Sequence, residues 1–461
     1  MSEVSDILKQ ALKFVEPTQR DIDALNKVAS KALVLVKEAA SKFDGIVDVT
    51  FGGSYAKGTW LKDDVDVDIF VKIKQDLSEK EFERIGRELG FLALKKYKPY
   101  LRYSEHPYVE AFVGGTRVNV VPCYDVEKGK WKSAADRSPY HTQFVINSFD
   151  DEKRGEARLL KKFMKTIGVY GAEIAKNGFS GYVCEVLILK YGSFMNILKA
   201  AAEFGEKQVI SIDKVNEDIV SMFKSPLIII DPIDQRRNLG TAISYDSVGR
   251  MILAARKFIA KPELRFFRSM NTKKQTLRFA DNIVVVKFKH KKRSPDIIWG
   301  QLKSSVNAVA KQLRIYGFEV IRATTATDED ENGIFAFMLE STQLPRLITK
   351  QGPKVFNHND SVKFLNKNLD KGNLFWIGND GRILALINNK FVDAAAFLKF
   401  LLSKNIRASG ISQGLITDIK RGFDIYTGSR LSKMKEHFIR EAISNLVTTD
   451  EFAFSSNKRT G

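Results

Sequence analysis

Between Val47 and Ile73 the chain reads strand, Gly52-Gly53-Ser54, strand, and the second strand opens on Asp66-Val67-Asp68. No other stretch constrains the fold as much. Residues two apart on a strand share a face. Asp66 and Asp68 therefore project together, while Val65, Val67 and Ile69 turn toward a core. Two carboxylates on one strand face repel each other unless a cation lies between them. Mg²⁺ takes oxygen ligands and commonly joins one or two carboxylates to substrate phosphates. Glycines let the backbone approach a ligand closely, and N–H groups exposed in such a turn suit a triphosphate, as does the Ser54 hydroxyl. A Gly-Gly pair alone is weak, and so is a D-x-D alone. The two in this order point to metal-assisted chemistry on a nucleotide.

The 461 residues, of which 44% are hydrophobic, exceed one ordinary core, and this length suggests roughly three domains. The balance of 74 Lys+Arg against 55 Asp+Glu leaves +19, a surplus that draws polyanions from a distance. Nucleic acid is the leading partner, since each neutralised phosphate releases counterions. A membrane surface is the rival. No run approaches the ~20 apolar residues of a spanning helix, and Met1 to Lys13 carries mixed charge with no apolar signal core. With two cysteines, Cys123 and Cys184, a disulfide framework is excluded, and a reducing, cytoplasmic location is expected. Five scattered histidines make a zinc site an unsuitable reading, so any metal should be a hard ion on carboxylates.

An α+β multidomain fold is expected. Residues 1–45 read as two helices broken at Pro17-Thr18, and 77–97 as another helix. Tyr108 to Val113 and Arg117 to Tyr124 read as strands joined across Gly114-Gly115. From Asp151 to Phe258 the pattern is helical, with Leu159, Leu160, Phe163, Met164 and Ile167 as a core stripe and Ser180 as an N-cap. Leu227 to Ile230 reads as a strand. After residue 275 come a strand (Ile283 to Phe288), a helix (Asp296 to Tyr316), strands at Phe318 to Thr324 and Ile334 to Leu339, and a helix from Leu431 to Leu446.

The glycine turn and its carboxylates resemble the nucleotidyltransferase superfamily of polymerase-β type. A longer match is narrower: Gly53-Ser54-Tyr55-Ala56-Lys57-Gly58-Thr59, Val120-Val121-Pro122-Cys123-Tyr124, Asp136-Arg137-Ser138-Pro139-Tyr140-His141, Gly168-Val169-Tyr170-Gly171, Gly178-Phe179-Ser180-Gly181-Tyr182 and Asp231-Pro232-Ile233-Asp234 with Arg237. Together these resemble the class I (archaeal-type) CCA-adding enzymes over nearly the whole chain, densely through residue 245. The resemblance implies a palm-like head at 1–150, a helical neck at 151–275 that binds nucleotide, and an RRM-like body and tail at 276–461 that bind tRNA. It implies addition of C, C and A to the tRNA 3′ end from CTP and ATP, with Mg²⁺ and release of pyrophosphate, and it leaves room for a homodimer built through the tail. Asp66, Asp68 and position 119 would form the catalytic metal set. Gly53, Ser54, Lys57, His141, Thr142, Lys161, Tyr170 and Arg237 would contact the nucleotide, with Arg237 reading the base edge.

One position departs from the family: Asn119 stands where the third catalytic carboxylate is expected. An amide can offer its carbonyl to a metal, but it has no charge and is no base. Three accounts stay open: a deliberately inactivated variant, a natural enzyme slowed by Asn, or a non-catalytic tRNA-binding relative. A poly(A)-adding enzyme is the alternative within the superfamily. Without the resemblance, Lys161 reads as a solvated helix face, Tyr170 as a packing aromatic, and Arg236-Arg237 as partners of Asp231 and Asp234. The run Lys289 to Arg293 reads equally as a solvated loop or a phosphate contact.

Overall fold

The computed structural model describes residues 3–103, 106–268, 279–370 and 372–454. They form two units, one of 1–271 with 450–461 and one of 272–449.

In the first unit, helix α1 (Glu3–Val15) ends before Pro17 and α2 (Gln19–Ala40) starts at Thr18, whose hydroxyl accepts from the Asp21 N–H while the Asp21 carboxylate caps in return. Strand β1 (Ile46–Gly52) leads into a single helical turn, α3 (Gly53–Lys57), and then β2 (Asp66–Lys74), α4 (Glu79–Ala93), β3 (Tyr100–Tyr103), β4 (Pro107–Val113) and β5 (Thr116–Asp125). The expected glycine turn is thus helical from Gly53, and β3 is a strand that the polar stretch before Pro107 did not announce. The sheet order is β1-β2-β5-β4-β3. It is mixed, because β2 and β5 run parallel and the other pairs antiparallel. Val67, Ile69, Val71 and Ile73 alternate inward against α2 and α4, forming one core with Phe82, Ile85 and Leu89. The opposite face carries Asp66 and Asp68.

A second core in this unit gathers helices α5 (Arg137–Ser148), α6 (Asp151–Thr166), α7 (Gly181–Tyr191), α8 (Phe194–Ala202) and α10 (Tyr245–Ala260) with strands β6 (Gln208–Ile210) and β7 (Leu227–Ile229), while the short α9 (Glu217–Ser221) has no buried residue. All five residues of the expected stripe, Leu159 to Ile167, are buried there, and Ser180 caps α7 by accepting from Val183 N–H. Phe163 stacks on Phe266 with centroids 5.5 Å apart. Ala11 and Val15 of α1 join this core, and Phe452 packs against it.

The second unit contains β8 (Ile283–Lys289), α11 (Pro295–Tyr316), β9 (Val320–Thr327), β10 (Asn332–Leu339), β11 (Leu347–Lys354), α12 (His358–Asn368), β12 (Gly372–Ile377), β13 (Arg382–Asn388), α13 (Ala394–Lys404), α14 (Gln413–Arg421), β14 (Phe423–Thr427) and α15 (His437–Val447). Its four-stranded sheet has the order β14-β8-β10-β9, and a three-stranded sheet has the order β11-β13-β12. The uninterrupted apolar run of β8 follows from burial on both faces: Val284 and Val286 face α11 and α13, whereas Ile283 and Val285 face α15. The helix expected from Leu431 is corrected here. Residues 428–433 form a 3₁₀ turn and α15 begins only at His437, while Leu431 and Met434 are both buried in the core beneath the sheet. The basic run at 289–293 is mostly paired internally: Lys289 with Glu331, Lys292 with Asp330 and Arg293 with buried Asp418. Among the described residues no helix is long and apolar enough to cross a membrane.

Candidate active site

Strand register gathers the site in one row. Gly52 of β1 pairs with Asp68 of β2, Asp68 with Asn119 of β5, Asn119 with Glu110 of β4, and Glu110 with Tyr100 of β3. One step along, Asp66 pairs with Arg117. Directly paired residues share a face, so Asp66, Asp68 and Asn119 stand together on the face away from α2 and α4.

Arg117 holds Asp66 with both forks, Nε to Oδ1 at 2.6 Å and Nη2 to Oδ2 at 2.8 Å. Burial nevertheless raises the Asp66 pKa, against the pull of Arg117 and with the repulsion of Asp68. Asp68 is raised as well, again chiefly by burial, although the Asn119 amide and the Lys57 charge oppose this. Asn119 Nδ2 donates to Asp68 Oδ1 at 2.8 Å. Its other fork, Oδ1, is buried with no hydrogen-bond partner. Each carboxylate oxygen bonded to Arg117 keeps a second lone pair. Two uncomfortable carboxylates and one orphaned carbonyl oxygen on one strand face are a donor set that fits a hard divalent cation.

The glycine pair is there for room. A Cβ on Gly53 would lie 1.8 Å from Asp68 Oδ2, and one on Gly52 would lie 2.1 Å from the Phe70 ring. Gly53 also has φ +63°, a conformation that costs other residues about 1–2 kcal/mol. We expect Gly53→Ala to keep the fold by circular dichroism but to lower nucleotide incorporation about 100-fold, since Asp68 must move by an ångström or more. Retention of full activity would refute this account of the turn.

Lys57, at the end of α3, points into the second core. Its Nζ pairs with Glu185 of α7 at 2.8 Å and lies 4.9 Å from the centre of the Tyr182 ring. Lys161 of α6 is 1% exposed, the opposite of a solvated face. Its Nζ meets Glu185 Oε1 at 2.8 Å, Thr59 Oγ1 at 2.9 Å and the Thr59 carbonyl at 3.1 Å. Thr59 Oγ1 donates to Glu185 at 2.5 Å. Burial alone would raise Glu185, but Lys161 and Lys57 bring it down to about 2. Two ammonium groups on one carboxylate leave a net positive charge beside Asp68. Tyr170 closes this cluster: it pairs with Phe179 across the Gly171–Gly178 loop, and its hydroxyl stands 3.0 Å from where a Cβ on Gly181 would be.

Beyond this cluster lies a cleft of about 830 Å³, lined by Trp131, Arg137, His141, Tyr182 and Arg237 among others. His141 Nε2 donates to buried Asp231 at 2.8 Å and stacks on Tyr182 at 4.0 Å. Burial lowers the His141 pKa in spite of Asp231. Asp231 also holds Arg237 at 3.5 Å, and the arginine keeps 38% of its side chain exposed. Arg237 therefore takes the local ion pair with Asp231, whereas Asp234 is taken by Arg137 at 2.9 Å. Thr142 turns its hydroxyl back to the Ser138 carbonyl at 2.9 Å, within its own helix.

The fold thus brings Gly53, Ser54, Lys57, Asp66, Asp68 and Asn119 to the sheet side, and His141 and Arg237 to the cleft. Lys161 is buried against Glu185 and Thr59, and Tyr170 beside it is partly buried. Glu185, Thr59, Asp231 and Tyr182 were missed as site residues. The detectable signal was Glu185, a lone charge inside the apolar run Val183 to Leu189.

Three family models match in chain order: a nucleotidyltransferase domain at residues 34–141, a tRNA nucleotidyltransferase second domain at 155–268, and a CCA-adding enzyme C-terminal domain at 280–428. A CCA-adding enzyme of Saccharolobus islandicus is 34% identical over 395 residues, which is 85% of this chain and 91% of that one. The CCA-adding enzyme of Pyrobaculum islandicum is 33% identical over 88% of this chain and 95% of its own. That of Pyrobaculum neutrophilum is 36% identical over 78% of this chain and 84% of its own. With relatives at least 33% identical aligned along most of its length and three family models matched in order, the chain belongs to the CCA-adding enzyme family.

Proposed function

We propose that the protein adds C, C and A to the 3′ end of tRNA from CTP and ATP without a nucleic-acid template, releasing pyrophosphate. The observation that carries this reading is the row Gly52–Asp68–Asn119 facing the Lys57–Glu185–Lys161 cluster, in a chain that matches CCA-adding relatives over most of its length. A divalent cation, Mg²⁺, held by Asp66, Asp68 and Asn119 Oδ1 supplies Lewis acidity toward the RNA 3′-hydroxyl and the triphosphate when bound. Gly53 leaves room for the phosphates beside Asp68. Ser54 and Lys57 orient them. Lys161 acts chiefly through Glu185 and Thr59, keeping Lys57 in place, and Tyr170 packs this support. Arg237 offers its fork to the base edge, steadied by Asp231, which His141 and Tyr182 hold in turn. Thr142 supports His141 from the same helix.

The division of labour follows the chain. We assign the head to 1–150, the nucleotide-binding neck to 151–275, and tRNA binding to the body and tail at 276–461. The β8-α11-β9-β10-β14 sheet, with its fourth strand beside the first and the third beside the second, supports an RRM-like body. Its second face is covered by Ile439, Ile443 and Leu446 of α15. That favours grip on the acceptor arm by shape and phosphate contacts rather than base stacking on the sheet. The surplus of +19 supports such a grip. The cytoplasm, where tRNA is matured, is the proposed location.

Supplied with CTP alone and a tRNA lacking its terminus, the protein is expected to add two residues and stop, and with ATP to add one more. Unlimited A addition would instead indicate a poly(A)-adding enzyme, and no incorporation at any Mg²⁺ concentration a non-catalytic tRNA binder. Exposed Leu374, Trp376 and Ile377 on edge strand β12 support a homodimer through the tail. Light scattering is expected to give twice the 52.1 kDa chain mass, and a Trp376→Lys variant to give a monomer. A monomeric parent protein would remove this proposal.

A further inference from the structure

The face of the five-stranded sheet that carries Asp66 and Asp68 continues past them to the sheet edge. The pairings Asp66–Arg117–Phe112 and Asp68–Asn119–Glu110–Tyr100 run across it as adjacent rows. Tyr108, two residues from Glu110 on β4, and its partner Arg102 on β3 belong to a third. Directly paired residues share a face, as do residues two apart. Tyr100, Tyr108 and Phe112 therefore all lie on the side of Asp68. None of the three packs into the core that Leu101, Val109, Ala111 and Val113 join on the opposite side. Phe112 is 55% exposed and Tyr100 36%, and Tyr108 is half-buried.

Apolar side chains scattered singly on a surface are ordinary. Three aromatic rings gathered on the face of the carboxylates are not scattered, and two guanidinium groups lie among them. Arg117 uses Nε and Nη2 on Asp66, and Arg102 uses Nε on Glu110 at 3.5 Å, so each keeps N–H donors to spare. Arg102 also lies 5.3 Å from the centre of the Tyr100 ring. Glu110 steadies the strip, since it accepts from the Tyr100 hydroxyl as well as pairing with Arg102. Exposed rings interleaved with guanidinium groups suit single-stranded RNA, whose unpaired bases stack while its phosphates meet the charges.

Placement selects which part of an RNA this is. Gly53, beside Gly52 of β1, adjoins Asp68 on one side. The aromatic strip lies on the other, with Phe112 two strands from Asp66, roughly 10 Å, and Tyr100 three strands from Asp68, roughly 14 Å. In transfer at phosphorus the attacking and leaving oxygens lie roughly in line. A triphosphate seated at the Gly53 turn therefore leaves the attacking hydroxyl to arrive from the side of β4 and β3. We propose that Tyr100, Tyr108 and Phe112, with Arg102, seat the single-stranded 3′ end of the acceptor RNA, its last bases stacked across β4 and β3 so that the terminal hydroxyl reaches Asp68. This rests on the reading of tRNA as the acceptor. It gives the 3′ end a place apart from the cleft at His141 and Arg237.

The test uses the full chain and a tRNA lacking its terminus, with 4-thiouridine as its last nucleotide. Irradiation of the complex without CTP or ATP needs no turnover. The crosslink should map to Tyr100, Tyr108 or Phe112, and one that maps outside β3 and β4 overturns this inference alone. If a filter retains no tRNA with the parent protein, the reading of tRNA as the acceptor falls instead. Steady-state CMP incorporation supplies the second readout. Phe112→Ala, at an exposed position outside the core, should raise KM for tRNA about tenfold and leave KM for CTP unchanged. Tyr108→Ala should act alike, whereas Phe112→Tyr, which keeps a ring, should match the parent. An unchanged KM for tRNA in Phe112→Ala overturns the seat. So does a rise shared equally by CTP, which a general structural fault would produce.

Discussion

Asp68→Asn is expected to lower nucleotide incorporation by about a thousandfold or more while raising the thermal midpoint of the free protein by roughly 2 °C. The two effects have one cause. Burial holds the Asp68 carboxyl above its ordinary pKa of 3.8, so in the absence of a cation its charge opposes folding. An amide in its place still accepts from Asn119 Nδ2 and carries no charge. The sign fixes the pH window. A raised pKa means that the group stabilises the folded state fully below its unfolded value and loses that contribution as pH rises through the folded value. The parent and the variant should therefore melt together in acid below 3.8, and the variant should lead as pH rises toward neutrality. Added Mg²⁺ should reverse the order at neutral pH, stabilising only the parent. Differential scanning calorimetry across pH, with and without Mg²⁺, reads all of this. A variant that melts lower than the parent at neutral pH without Mg²⁺ would show that the carboxylate is not held at a loss.

Glu185→Gln should act in the opposite sense. It leaves Lys57 and Lys161, both buried, with one neutral acceptor between them. Removing one partner of a buried ion pair costs about 3–5 kcal/mol, enough to lower the midpoint by roughly 10 °C in a unit of this size. Activity should fall with it, because Glu185 and Thr59 tie the α3 turn to α6 and α7. Here the pKa is depressed, to about 2. The contribution of Glu185 is therefore present at all pH values above the ordinary 4.5 and is lost as pH falls toward 2, so the gap between parent and variant should close only in strong acid. Replacing the whole set, Lys57→Met with Lys161→Met and Glu185→Leu, should recover most of the stability, since an apolar set of similar volume tolerates burial. It should not recover incorporation, because the positive charge facing the triphosphate is gone. Recovery of both would mean that the cluster is scaffold alone.

The contrast between these residues shows how much of the site was legible beforehand. Strand alternation puts Asp66 and Asp68 on one face whatever surrounds them, and the glycine pair marks a close approach of backbone to something. The apolar periods of α2, α6 and α11 and the uninterrupted β8 place the cores, because burial of a stripe or of both strand faces is written in residue spacing. The motifs then carry the family. Partnership across strands and helices is not written in spacing. Lys161 looks solvated in its own helix and is buried only because Glu185 arrives from α7. Arg237 and Asp234 look like neighbours in a turn, yet Arg137 takes Asp234. Residues 431–436 have helical spacing, yet two side chains are drawn into a core and the helix starts late. Glu110 stands nine residues from Asn119 and means nothing until the β4–β5 register sets them side by side. The sequence by itself determined which residue types face together along each element and which chemistry they could serve. Only the tertiary structure decided which charges meet, because ion pairing and desolvation depend on separations of a few ångströms that chain order does not encode.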